Sequence, residues 1–350
     1  MRRYAFLLAS VLVMAALAGC GGEKVNKLGF YPKLNVYNWS DYIDPEVLKG
    51  FEEEYGIKVN YENFATNEEM LAKLKGRGTN YDVLFPSDYM VEVLISQDML
   101  HELDFSLMEN FANIDPRFKS MPFDPEDRHS VPYFWGTMGI VYDSERIPEG
   151  ITSWRALWDD RYAGRIVMLD SSRDTIGIAL IMLGYSPNTK DLRELEAAKM
   201  ALIQQKPLVR SYEVDAYKDM MASGEAILSL CWSGDAVLLA GEHPNLAYAI
   251  PEEGTNVWVD CMVVPKSSKH KREAVLFIDY MMRPDVNAAC ALEVGYSTAN
   301  SEALKLLPEE IREDKMAYPD GDIWANGAIF EDLGEFTAEY DKAWTEIKSR

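Results

Sequence analysis

From Lys33 to Met282, short apolar runs alternate with segments of helical period, and nothing between them is long or polar enough to be a linker. Lys33 to Trp39 reads as a strand, with Leu34, Val36 and Tyr37 in an apolar stretch. Asp44 offers an N-cap and Pro45 sits at a first helical position. Val47, Leu48, Phe51 and Tyr55 follow at helical spacing, and Gly56 stops the helix. Residues 57–61 are a second strand. Thr66 and Glu69 fit a capping box ahead of a helix bearing Met70, Leu71 and Leu74. A third strand, 82–85, ends at Pro86, and a helix runs from Tyr89 towards Gln97. The rhythm returns later, with strands at 165–169, 225–230, 246–250 and 257–264. Helices are expected at 175–183, 192–202, 235–240 and 271–282. Such alternation implies an α/β protein whose mainly parallel sheets are flanked by helices and joined by right-handed crossovers.

A chain of 350 residues exceeds what one core usually holds, so two lobes are expected. Without a linker, the lobes must be joined by crossing strands, and the stretches 135–141 and 256–263 suit that role. The expected lobes are 33–136 with 260–303, and 137–259 with 304–350.

Residues 1–19 read as a signal peptide. Arg2 and Arg3 are basic, and the apolar run 5–18 is too short to span a bilayer comfortably. Leu17-Ala18-Gly19-Cys20 resembles the bacterial lipobox, which implies lipidation of Cys20 and a tethering segment over 20–32. The chain is then extracytoplasmic, in the periplasm or at the cell surface, and touches the membrane through lipid only. The net charge of −22 argues against nucleic acid or anionic lipid as general partners and permits a cationic ligand.

Three further cysteines, Cys231, Cys261 and Cys290, cannot all pair with one another. They read as small buried side chains, with a Cys231–Cys261 bridge left open. The four histidines are scattered, so no metal site is expected. There is no G-x-S-x-G elbow, P-loop, dinucleotide glycine cluster or H-E-x-x-H, and neither catalysis nor a cofactor is expected.

Ligands of open parallel sheets bind beyond the C-terminal ends of the strands. There the chain places Trp39-Ser40-Asp41-Tyr42, Ser87 with Asp88 and Tyr89, Ser171 with Asp174, Trp232 with Asp235, and Trp258 with Asp260. Aromatics and carboxylates recur together. A buried alkyl ammonium needs a carboxylate in place of its hydration, and aromatic faces attract the cation and cover its methylenes. Such a row spread over two lobes suits a long, thin polycation. Taken singly, each position reads equally well as a rim aromatic or a helix-capping acid, and Asp44 is better explained as a cap.

Over almost all of 34–350 the sequence resembles the bacterial spermidine/putrescine-binding proteins of polyamine ABC transporters. The resemblance is carried by Tyr37-Asn38-Trp39-Ser40-Asp41-Tyr42, Gly56-Ile57-Lys58-Val59, Pro86-Ser87, Leu157-Trp158, Trp232-Ser233-Gly234-Asp235, Trp258-Val259-Asp260, Arg283-Pro284-Asp285-Val286 and Gly295-Tyr296-Ser297-Thr298-Ala299-Asn300. It implies a two-lobed periplasmic-binding-protein fold of type II that closes on a ligand in the interlobe cleft. It also implies partners, a permease pair with a cytoplasmic ATPase; a monomer is taken only as the default. By the same resemblance Trp39, Tyr42, Tyr89, Trp232, Trp258 and Tyr296 would form an aromatic box. Asp41, Asp235, Asp260 and Asp174 would meet ammonium groups, and Ser40 and Ser87 would add polar contacts. Ser171 stands where the spermidine type has an acid, and Asp174 replaces a longer one. Phe330 replaces a polar amide, whereas Asp235 and the Ser40-Asp41 pair match the putrescine type. A carrier of another solute, such as thiamine or ferric ion, and a polyamine-sensing lipoprotein are the alternatives; the absence of an adjacent Tyr-Tyr pair disfavours ferric ion.

Overall fold

The computed structural model describes residues 25–76, 79–319 and 323–349, so the signal segment and Cys20 lie outside the described residues. The strands are β1 (Lys33–Trp39), β2 (Lys58–Phe64), β3 (Val83–Leu84), β4 (Ser130–Asp143), β5 (Ile166–Leu169), β6 (Val209–Glu213), β7 (Leu228–Trp232), β8 (Leu246–Ala249), β9 (Thr255–Val263), β10 (Ser297–Thr298) and β11 (Gly327–Ala328). The main helices are α1 (Pro45–Tyr55), α2 (Asn67–Lys75), α3 (Asp88–Ser96), α4 (Ser172–Met182), α5 (Leu192–Gln205), α6 (Tyr217–Ala222), α7 (Ser233–Glu242), α8 (Lys271–Met281) and α9 (Pro284–Val294). A C-terminal helix spans Thr337–Ser349.

The local signals act as expected at the first helices. Asp44 accepts the Glu46 N–H at 2.8 Å, and Gly56 ends α1 with a left-handed φ of 64°. Thr66 Oγ1 accepts the Glu69 N–H at 3.1 Å. The Glu69 carboxylate reaches back one residue further than a capping box requires, to the Ala65 N–H at 2.9 Å.

The sheet path runs β2-β1-β3-β9-β4-β7-β5-β6, and β8 also pairs with β4. β1 is parallel to β2 and β3, and β5 is parallel to β6 and β7. β9 is antiparallel to β3 and β4, and β4 is antiparallel to β7 and β8. Both lobes therefore repeat one order, β2-β1-β3-β9-β4 and β6-β5-β7-β4-β8. Each is parallel where strands are linked through helices. Each admits an antiparallel strand where β4 or β9 carries the chain between lobes, because a strand arriving from the other lobe enters from the opposite end.

Two apolar cores result from this layout. The first contains Leu34, Phe51, Phe85, Tyr133 and Phe277, and the second Met138, Trp154, Leu180 and Tyr217. β4 leaves the first core at Trp135 and enters the second at Met138. Residues 304–350 do not pack as one piece: Leu307 and Phe330 join the first core, whereas Leu333, Tyr340 and Ile347 join the second. α9 shows no apolar stripe in the sequence, because its buried face includes the polar Asn287 while the apolar Leu292 is exposed. Cys231, Cys261 and Cys290 are free and buried, so the Cys231–Cys261 bridge does not form. Among the described residues no helix is long and apolar enough to cross a membrane.

Candidate functional site

A cavity of about 400 Å³ opens between the two lobes. Every residue expected at the site lines it: Trp39, Ser40, Asp41, Tyr42, Ser87, Tyr89, Ser171, Asp174, Trp232, Asp235, Trp258, Asp260 and Tyr296. They come from the C-terminal ends of β1, β3, β5 and β7, from the face of β9, and from the loop after α9.

β1 stops at Trp39, and Asp41 takes a left-handed φ of 48°, a conformation aspartate tolerates better than most residues. The turn brings Tyr42 back beneath the strand, where its hydroxyl donates to Asp260 Oδ2 at 2.6 Å. Tyr296 closes the wall, with ring centroids 5.4 Å from Tyr42 and 5.2 Å from Trp258, both edge-on. Two glycines make this packing possible. A Cβ at Gly136, which faces Trp258 across the ladder, would lie 2.5 Å from the indole. A Cβ at Gly234 would lie 2.2 Å from the Tyr296 ring.

Asp260 is 5% exposed. Its Oδ2 accepts from Tyr42, while its Oδ1 is buried with no hydrogen-bond partner in the protein. Burial pushes this carboxyl up to about 7, against the pull of the Ser87 and Tyr42 hydroxyls. A buried acceptor left unmatched costs about 1–3 kcal/mol, more when charged. A donor cation in the cavity would recover that cost. Asn256 Oδ1 and the indole N–H groups of Trp39 and Trp258 are also buried without partners in the protein. Asn256 lines the cavity but was missed in the sequence; alternation along β9 puts Asn256, Trp258 and Asp260 on one face and could have found it.

Asp88, Asp174 and Asp235 occupy the first turns of α3, α4 and α7. Helix N-termini attract anions, so each acid offsets a partial positive charge that would otherwise repel a cation. Asp88, named at the end of the third strand but not assigned to the site, accepts the N–H groups of Tyr89 at 2.7 Å and Val259 at 3.0 Å. It thus ties α3 to β9 beside Asp260, and burial pushes it up to about 8. Burial pushes Asp174 up to about 6, with the Ser171 hydroxyl pulling it down. Ser171 itself caps α4, its Oγ accepting the Asp174 N–H at 3.4 Å.

Two resident cations complete the lining, and a search for acids alone overlooks both. The buried Arg173 guanidinium lies 5.1 Å from the Tyr89 ring and 4.7 Å from that of Phe330. It donates to Glu331 O at 3.1 Å and Asn188 Oδ1 at 2.9 Å, so one face of Tyr89 already carries a cation. Lys218 Nζ lies 4.0 Å from Asp235 Oδ1. Burial raises the pKa of Asp235, while Lys218 and the hydroxyls of Tyr217 and Tyr296 work the other way. Among the described residues no group of three or more His, Cys, Asp or Glu could hold a metal ion.

A family model described as bacterial extracellular solute-binding protein matches residues 46–318. The spermidine/putrescine-binding periplasmic protein of Salmonella typhimurium is 37% identical over 318 residues, 90% of this chain and 91% of the relative. Its namesake from Escherichia coli is 34% identical over 345 residues, 98% of this chain and 97% of the relative. The solved structure of a putative spermidine/putrescine ABC transporter from Listeria monocytogenes superposes with a TM-score of 0.88 at 38% identity, covering 91% of this chain and 99% of that one. These relatives are binding proteins rather than enzymes, and the Listeria monocytogenes structure shares the two-lobed layout derived above. The chain belongs to the bacterial extracellular solute-binding proteins.

Proposed function

We propose that this chain captures a polyamine, spermidine or putrescine, in the interlobe cleft and delivers it to the permease of an ATP-driven importer. The observation that carries the reading is Asp260: a buried carboxylate with one oxygen unmatched, walled by Tyr42, Trp258 and Tyr296 and, among the described residues, paired with no cation. An ammonium there gains a charge-assisted hydrogen bond, and the rings cover the methylenes beside it. Trp39, Tyr89 and Trp232 extend the aromatic wall, Asp41, Asp174 and Asp235 supply charge towards the ends, and Ser40, Ser87 and Ser171 supply polar contacts. Ligand bridging the lobes stabilises the closed form, and the permease recognises that form. No bond is made or broken. Exchange between lobes occurs on β4 near Gly136 and Thr137 and again at the entry to β9, between Ala249 and Val257. Lipidated Cys20 tethers a monomer outside the cytoplasm, and the acidic surface keeps it clear of anionic lipid.

The test is calorimetric titration with spermidine and with putrescine, using protein that begins at Glu23 and has been unfolded and refolded to shed co-purified ligand. One-to-one binding of either, at about 1 μM or tighter, is expected. Absence of heat with both would overturn the polyamine reading and leave the fold standing.

A further inference from the structure

The acids at the Asp235 end of the cleft are not free in the way Asp260 is. α6 packs against the start of α7, and its first two residues both address Asp235: the Tyr217 hydroxyl donates to Oδ2, and Lys218 Nζ stands 4.0 Å from Oδ1. The same ammonium is bonded to Asp215 Oδ1 at 3.2 Å, and Asp41 adds to the field on it. Burial works against the lysine charge, but these three acids outweigh it and keep Lys218 protonated. Its side chain is 30% exposed, whereas Asp215 is 57% exposed, so a route outward along Asp215 exists.

We propose that Lys218 is a resident competitor for the ligand: its ammonium fills the cationic position between Asp41, Asp215 and Asp235, and a ligand ammonium entering that end must displace it. The proposal rests on the polyamine reading and adds to it a residue that sets how much each acid contributes. An ammonium arriving at Asp235 exchanges one cation for another and gains little. One arriving at Asp260 forms a pair that did not exist before. Lys218 therefore mutes the Asp235 end, and affinity is concentrated at Asp260. The flexible stem of lysine lets the displaced ammonium stay on Asp215, so displacement is reversible and needs no movement of α6.

The experiment is a double-mutant cycle read by calorimetry with spermidine and putrescine, on Lys218→Met, Asp235→Asn and the double variant, with Lys218→Arg as the charge-retaining control. Lys218→Met keeps the apolar stem and should tighten binding of at least one polyamine about tenfold, while Lys218→Arg should gain far less. Asp235→Asn should cost less than about threefold beside Lys218 and about tenfold or more when Lys218 is methionine. Weaker binding by Lys218→Met, or an Asp235→Asn cost that is the same in both backgrounds, would overturn the proposal while the polyamine reading survived. Failure of the refolded wild-type chain to bind either polyamine would sink both. Thermal melts of each variant without ligand separate lost affinity from lost fold.

Discussion

Asp260 and Asp235 face the same cavity and differ in what the protein has already done with them. Asp260 sits on a strand beside the start of α3, with the Tyr42 hydroxyl on one oxygen and no hydrogen-bond partner in the protein for the other. Asp235 sits in the first turn of α7, takes the Tyr217 hydroxyl, and has Lys218 for company. Both are buried carboxylates in an acidic protein, yet only the first has a charge that the fold leaves uncompensated. Counting acids in a cleft therefore overstates its appetite for cations. What matters is the number left after helix termini and internal ammonium groups have taken their share.

The comparison breaks first at Asp260. Asp260→Asn keeps the shape and removes the charge, and affinity for either polyamine should fall about 100-fold or more, since removing one partner of a buried charge pair costs several kcal/mol. Titration of a refolded variant decides this. A fall of only a few-fold would put the ligand elsewhere in the cleft. Next in size is the aromatic wall beside it. Trp258→Ala should weaken binding about 10- to 30-fold through lost cation–π attraction and methylene cover. A larger loss on Trp232→Ala than on Trp258→Ala would move the centre of binding towards the Asp235 end.

Acidity sharpens the contrast further. The Asp260 carboxyl is held near 7 in the free protein, so its ionised, binding-competent form is depleted as pH falls through that value. Affinity should drop between pH 8 and pH 6, approaching about tenfold per unit below the pKa. Stability of the ligand-free fold should move the other way. Burial lifts Asp88 to about 8, Asp260 to about 7 and Asp174 to about 6, all above the unfolded carboxyl value. The folded chain therefore binds more protons than the unfolded chain over this window, and these groups favour folding as pH falls from 8 to 6. Melting temperatures and titrations across the same buffers should diverge. Affinity that stays level from pH 8 to pH 6 would show that Asp260 is ionised at neutral pH in the free protein. The smallest effect belongs to Asp235→Asn in the wild-type background, under about threefold in affinity, because Lys218 already neutralises the acid.

Much of this site was legible in the chain. Strands end where apolar runs stop, and a parallel arrangement sends ligands to those ends, so the residues just past each run pick out Trp39, Ser87, Asp174 and Trp232. Asn256 was equally legible, two residues before Trp258 on a strand of period two, and is overlooked when only acids and rings are sought. Lys218 and Arg173 are of another kind. Each matters through a partner on another element: Asp235 across the packing of α6 on α7, and Phe330 across more than a hundred residues. α9 escaped for a third reason, since a buried asparagine, Asn287, and an exposed leucine, Leu292, blur its hydrophobic period.

By itself the sequence determined the α/β alternation, the helix caps at Asp44 and Thr66, and the gathering of rings and acids at strand ends, because these depend on neighbours within a few residues. Only the tertiary structure decided which strands oppose their sheet, since that depends on where β4 and β9 cross between lobes. It alone also decided which carboxylates keep an unspent charge. Burial and the nearest cation set that property, and both are fixed by packing between segments that the chain order keeps far apart.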